Sequence, residues 1–200
     1  MQAFDPGIKF VILIHPIEFR KRIATGKMAH LSLKNSELIR GHDYSDNERV
    51  NGILADPANY CVMLYPGPTS TNLTLQTNDE RASLFPTDKK LVIFVIDGTW
   101  LSAKKTVHLS QNLKVLPKVC FVPVKTSNFR VRKQPAPECY STIEAIHHVI
   151  ELMGTSTEHG ILLELFDRMV TQQLELQKNL KYRRRLCRPP GQMKAVRAGL

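Results

Sequence analysis

The chain has 200 residues, of which 42% are hydrophobic and 23% are charged, and its formal net charge is +10. This length and composition predict one folded domain with a sizeable core and exclude a wholly disordered chain. The longest apolar runs are strand-length, far short of the roughly 20 residues of a membrane helix. The first ten residues also lack the features of a signal peptide. We therefore expect a cytoplasmic protein with no membrane partner.

The positive charge is concentrated at one end of the chain. Residues 181–200 carry seven Lys or Arg and no acid, whereas the other 180 residues carry 21 basic and 18 acidic side chains. A basic segment of this kind suits a phosphate backbone, although a solvated tail or one that binds acidic lipid has the same composition. We divide the chain into a domain of residues 1–185 and a basic C-terminal tail of residues 186–200.

Short continuous apolar runs alternate with helical stretches along the chain. The runs predict strands buried on both faces at 9–15, 60–65, 91–96 and 119–124. The helical patterns lie at 45–56, 101–113, 141–154 and 157–185. In the third of these, Ser141 and Glu144 fit a capping box and Gly154 fits a helix stop. The alternation predicts a single layered α/β domain with a mostly parallel sheet and a long C-terminal helix.

Three predicted strands end in residues suited to ligand binding, at the edge where ligands gather in such sheets. They are followed by His15-Pro16, by "YPGPTSTN" (65–72) and by "DGTW" (97–100). Each loop alone is equally consistent with an ordinary turn. Asp97 is a candidate base or cation partner, and Trp100, the single tryptophan, is a candidate for stacking on a ligand. The alternative is that Asp97 caps the next helix and Trp100 packs in the core.

A basic cluster precedes the helix that is capped at Ser141. Arg130, Arg132 and Lys133 stand in this cluster, and the free N–H groups of the helix start suit a carboxylate or a phosphate. A solvated loop with an ordinary cap is the alternative.

The four cysteines are scattered without a CxxC pair, and His147 and His148 are adjacent on the helix, so we expect no metal site.

Taken in order, these stretches resemble the DTW-domain family, the tRNA-uridine aminocarboxypropyltransferases. The matching pieces are "LIHPIEFRKRIATGKMAHLSL" (13–33), "LYPGPTSTNL" (64–73), "IDGTWLSAKK" (96–105), "LPKVCF" (116–121), "FRVRKQP" (129–135) and "STIEA" (141–145). They cover most of residues 9–153, and their order makes the set specific. The resemblance implies a SPOUT-like domain with a knotted segment that holds S-adenosylmethionine, and transfer of its 3-amino-3-carboxypropyl group to N3 of a tRNA uridine.

The same resemblance implies roles for individual residues, with S-adenosylmethionine as donor, tRNA as acceptor and no metal. The implied catalytic residues are Asp97, Thr99 and Trp100. The implied donor-binding residues are Tyr65, Pro66, Gly67, Leu116, Pro117, Ser141, Thr142 and Glu144. The implied RNA-binding residues are Arg130, Arg132, Lys133, Arg183, Arg184 and Arg185. Asp97 either binds the α-ammonium of the donor or accepts the uridine N3 proton.

Two other functions fit the same sequence. A SPOUT-type RNA methyltransferase would share the fold and the donor, and a non-catalytic RNA-binding module would keep the fold alone. Many family members carry an N-terminal cysteine cluster, whereas this sequence starts at the first strand without one. We therefore expect no zinc-supported N-terminal module. The sequence leaves open the oligomeric state, the modified uridine and the tRNAs that carry it.

Overall fold

The computed structural model describes residues 2–21, 23–131 and 139–186, the last six of them by their backbone alone. Within these residues, six strands form one sheet: β1 Lys9–Ile14, β2 Ser36–Arg40, β3 Asn59–Leu64, β4 Thr71–Asn72, β5 Lys90–Asp97 and β6 Lys118–Cys120. Their order across the sheet is β2-β1-β5-β3-β6-β4, and each of these pairs is parallel. The predicted α/β domain with a mostly parallel sheet is confirmed.

Helices cover both faces of the sheet. The described ones are α1 Pro16–Phe19, α2 Thr25–Ser32, α3 Glu48–Ala55, α4 Asn78–Ser83, α5 Trp100–Leu109, α6 Gln111–Lys114, α7 Thr142–Met153 and α8 Gly160–Leu186. Short 3-10 turns occur at Leu73–Leu75 and Thr157–His159. In the part of the chain that is described, no helix combines the length and the apolarity needed to cross a membrane. The long final helix predicted over 157–185 is confirmed as α8.

The continuous apolar runs reflect burial of the central strands on both faces. Along β1, Phe10 and Ile12 belong to one core cluster, whereas Val11 and Leu13 belong to a second cluster on the other face. This follows from the two-residue period of a strand. The first cluster includes Phe166 of α8, together with residues of α2 and α7. Both faces are therefore packed, which is the usual situation of a parallel sheet.

One predicted strand boundary differs from the structure, and the two edge strands, β2 and β4, were missed. The fourth strand was predicted over 119–124, but β6 ends at Cys120, and the side chains of Val122 and Val124 are 51% and 72% exposed. Those two valines face solvent, so an apolar run is not sufficient to extend the strand. β2 was not predicted at all. It lies at the edge of the sheet with a single fully buried residue, Ile39, and so lacks an apolar run.

The capping box at the start of α7 is confirmed, and its carboxylate also holds a neighbouring loop. The Glu144 carboxylate accepts hydrogen bonds from the Ser141 N–H (2.8 Å) and the Ser141 hydroxyl (2.6 Å). It also accepts from the Ser127 hydroxyl (2.7 Å) and the Asn128 N–H (2.9 Å). Gly154 ends the helix with φ 62°, a conformation that glycine adopts without strain. Glu144 therefore joins α7 to the loop that follows β6.

Replacing Glu144 by alanine should destabilise the domain strongly. The change leaves buried donors without an acceptor, and we expect a loss of about 3 kcal/mol in the free energy of unfolding. Urea unfolding measures this loss. Glu164→Ala, the same change at an exposed position of α8, is the matched control and should stay within about 0.5 kcal/mol. Equal losses for the two variants would contradict the role of Glu144.

Candidate active site

A cavity opens at the carboxyl ends of β3, β5 and β6. Its volume is about 460 Å³, within the range of small-molecule sites. Most of its wall is apolar or aromatic, and its polar groups include residues at the end of β5 and at the starts of α2 and α7. The lining includes Thr25, Tyr65, Pro66, Asp97, Thr99, Trp100, Phe121, Cys139, Tyr140, Ser141 and Thr142. The cavity therefore lies where ligands bind in parallel α/β sheets.

Asp97 is a buried carboxylate in the wall of this cavity. It is the last residue of β5, its side chain is 6% exposed, and its backbone carbonyl accepts from the His15 N–H at 3.0 Å. Its Oδ1 accepts a hydrogen bond of 2.6 Å from the Thr142 hydroxyl of α7. The helix that follows is capped by Thr99, whose side chain accepts from the Ser102 N–H at 3.1 Å. The alternative in which Asp97 caps that helix is therefore wrong.

The first turn of α2 contacts the other side of the same carboxylate. A Cβ atom built on Gly26 would lie 2.5 Å from Asp97 Oδ2, so only glycine allows this approach.

The side chain of Tyr44 is fully buried, and its hydroxyl donates to the Ile39 carbonyl at 3.1 Å. Burial, followed by the charge of Asp97, raises the pKa of this phenol well above its usual range. Tyr44 is thus a neutral hydrogen-bond donor beside the carboxylate.

Trp100 forms part of the exposed rim of the cavity. Its side chain is 48% exposed, so the alternative that it packs in the core is wrong. The indole N–H donates to Cys139 Sγ at 3.0 Å, a contact that fixes the ring across the start of α7. Leu101, the next residue, is 80% exposed. The exposed indole at the rim of the cavity is suited to stacking on a planar group.

The structure brings together only part of the predicted donor-binding set. Tyr65, Pro66, Ser141 and Thr142 line the cavity, whereas the other predicted members are not among its lining residues. The Gly67 carbonyl accepts from the Ser70 N–H in a turn, and the Pro117 carbonyl accepts from the Met63 N–H within the sheet.

The two remaining members of that set, Leu116 and Glu144, have structural roles. Leu116 packs against the core cluster on the opposite face of the sheet. Glu144 is 6% exposed, and its carboxylate accepts hydrogen bonds from Ser127, Asn128 and Ser141. Its role in donor binding stays a prediction, and its hydrogen bonds join the cap of α7 to the loop that follows β6.

The predicted RNA-binding residues fall at the limits of what the structure describes. Arg130 is exposed and directly follows Phe129, which lines the cavity. Arg132 and Lys133 lie outside the described residues. Arg183, Arg184 and Arg185 belong to the last turns of α8, where only the backbone is described. Their contact with RNA stays a prediction.

A comparison with known families assigns the chain to one of them. The sequence model of the family described as "DTW domain" matches residues 1–174. The chain belongs to the DTW-domain family. This match covers the six strands and the helices described here as far as the middle of α8, and it includes the residues that line the cavity.

One curated protein and one solved structure are similar to this DTW-domain chain. The tRNA-uridine aminocarboxypropyltransferase 2 of Drosophila melanogaster is 27% identical over 155 residues, which are 75% of this chain and 58% of the relative. This chain thus aligns with little more than half of that protein. The solved structure of the SAM-dependent rRNA:acp-transferase Tsr3 from Vulcanisaeta distributa has a TM-score of 0.50 and 22% identity, and the match covers 87% of this chain and 82% of that one. This likeness shows the fold.

Several lining residues of the DTW domain were not predicted as site residues. Phe121 and Tyr140 form an aromatic wall with ring centroids 5.6 Å apart, and Phe121 also packs edge-on against His148 at 4.8 Å. Phe121 directly follows β6, but the fourth strand was predicted over 119–124, so the argument from strand ends could not point to this residue. Among the described residues, no three His, Cys, Asp or Glu side chains gather as a metal site.

Alanine at two helical glycines should have opposite effects on stability. Gly26→Ala places a methyl group against the Asp97 carboxylate, and we expect this overpacking to cost about 1–3 kcal/mol. In Gly52→Ala, the matched control in α3, the methyl group meets no atom within 4 Å. This control should gain about 0.5–1 kcal/mol from the better helix propensity of alanine. Thermal unfolding compares the two, and a stabilised Gly26→Ala protein would show that Asp97 moves aside at no cost.

Proposed function

We propose that this DTW-domain protein transfers the 3-amino-3-carboxypropyl group of S-adenosylmethionine to N3 of a uridine in tRNA. The observation that carries the proposal is the buried Asp97 carboxylate beside the start of α7, in the wall of a largely apolar cavity. Membership of the DTW family and the names of the two relatives support it. The SPOUT-like class of the fold belongs to the same proposal.

The chemistry of the donor requires two binding groups in this site: a negative group for its ammonium and a positive group for its carboxylate. A sulfonium ion makes all three attached carbons electrophilic, and the carbon that reacts is the one held in line with the nucleophile. An aminocarboxypropyl transferase must therefore grip the amino acid end of the donor. That end carries an ammonium and a carboxylate on the same carbon, so its two binding sites must be neighbours.

The end of β5 and the start of α7 provide such neighbouring sites. Asp97 supplies a negative charge for the ammonium, and the first turn of α7, after Ser141, supplies N–H groups and a positive dipole end for the carboxylate. The hydrogen bond between Thr142 and Asp97 places these two sites side by side. This adjacency favours Asp97 as the ammonium partner over Asp97 as the base.

The rest of the donor and the acceptor base fit the apolar parts of the site. Tyr65, Pro66 and the aromatic wall of Phe121 and Tyr140 offer flat surfaces for adenine and ribose. At the opening, Trp100 offers an exposed ring for a uridine that has left its stack, a step that such chemistry requires. Arg130 and the basic C-terminal residues would contact phosphates.

Mass spectrometry of nucleosides tests the reaction. The full chain is incubated with S-adenosylmethionine and an unmodified tRNA transcript, which is then digested to nucleosides. We expect a uridine that has gained one 3-amino-3-carboxypropyl group. A gain of one methyl group would instead identify a methyltransferase. Donor binding without any product would identify a non-catalytic module. Either result would overturn the proposal.

Asp97→Asn should weaken donor binding while the fold remains intact. The amide keeps the size of the side chain and can still accept from Thr142, but it loses the charge that pairs with the ammonium. We expect donor affinity to fall about tenfold or more, where tenfold is about 1.4 kcal/mol. Asp88→Asn is the matched control, because Asp88 is exposed just before β5 begins, at the opposite end of the strand.

Calorimetric titration with S-adenosylmethionine measures both variants, and the transfer assay completes the assignment. Unchanged donor affinity with lost transfer would make Asp97 the base rather than the ammonium partner. Unchanged affinity and unchanged transfer would remove Asp97 from the mechanism.

A further inference from the structure

Residues of two helices, α7 and α2, contact the side chain of Asp97 at the end of β5. Thr142, the first residue of α7, donates its hydroxyl to Oδ1 at 2.6 Å and so bridges 45 residues of sequence. On the other side, the missing Cβ of Gly26 in α2 leaves space for Oδ2. The carboxylate thus lies between a hydrogen-bond donor and the backbone of a helix, and both contacts restrict its rotation.

We propose that Thr142 is a positioning residue, which sets the orientation of the Asp97 carboxylate toward the donor without itself contacting the reacting atoms. This inference rests on the proposed function. The terminal torsion of an aspartate is broad, so a hydrogen bond to one of its oxygens narrows the range of orientations that the carboxylate samples. Threonine is suited to the task because its branched side chain has few rotamers and stands on a helix.

The cap of α7 does not account for the Thr142 hydroxyl. Ser141 and Glu144 already form the capping box of this helix, and Thr142 lies one residue inside it. The Thr142 hydroxyl points away from that box and toward β5, where its partner is Asp97. Its hydrogen bond therefore orients a group of the site and is not needed to begin the helix.

A double-mutant cycle tests the positioning role. Thr142→Val removes the donor hydroxyl at nearly constant shape, and Thr142→Ser keeps the hydroxyl as the conservative control. We expect Thr142→Val to lower affinity for S-adenosylmethionine about fivefold to tenfold, whereas Thr142→Ser stays within about twofold. In an Asp97→Ala background, Thr142→Val should cause no further loss, because Thr142 acts only through that carboxylate. Thr142→Ala replaces Thr142→Val if the valine variant does not fold.

The possible outcomes separate this inference from the proposed function. Additive losses in the cycle would mean that Thr142 contacts the donor directly, and this would overturn the positioning role. A loss in Thr142→Ser as large as in Thr142→Val would overturn it as well, since the hydroxyl would then not matter. If the wild-type protein bound no S-adenosylmethionine at all, the proposed function itself would fail. Coupling with serine rescue, in a protein that binds the donor, supports the inference.

Discussion

The site depends on a parallel sheet whose strands end at different heights along one edge. Because every described pair is parallel, all the carboxyl ends face the same side. β1 and β5 remain paired up to Ile14 and Asp97, whereas β3 has its last pair with β5 at Leu64 and Val95. β5 therefore extends past its neighbour on one side only. The cavity lies on that side, and Asp97 stands in its wall because its strand continues where β3 has ended.

Two buried carboxylates beside this edge have different tasks, and their surroundings explain the difference. Glu144 accepts four hydrogen bonds from the cap and from the loop after β6, so its lone pairs are committed to holding the backbone. Asp97 lines the cavity and receives a side-chain donor from a neighbouring helix. The first carboxylate shapes one wall of the site. The second carries the charge that we assign to binding the donor.

The sequence was sufficient to predict the central strands, the capped helix and most of the polar side chains of the cavity. These features depend on local patterns: continuous apolar runs, a capping box, and residues that directly follow strands. β2 was missed because an edge strand needs little apolar surface. Gly26 could not be assigned to the site from the sequence, because its importance lies in a contact with Asp97, 71 positions away, that only the folded chain forms. Leu116 shows the converse: a motif near a strand does not reveal on which face of the sheet a side chain lies, and this one packs against the second core cluster.

A buried carboxylate is costly unless it has compensating partners, and the ends of two helices provide part of that compensation here. Gly26 belongs to the first turn of α2 and Thr142 to the first turn of α7, so the positive ends of two helices lie close to Asp97. The Thr142 hydroxyl adds a direct hydrogen bond. Dipoles of this kind stabilise a negative charge. On the proposed function, the N-terminus of α7 therefore serves both the Asp97 carboxylate, through the Thr142 hydroxyl, and the carboxylate of the donor.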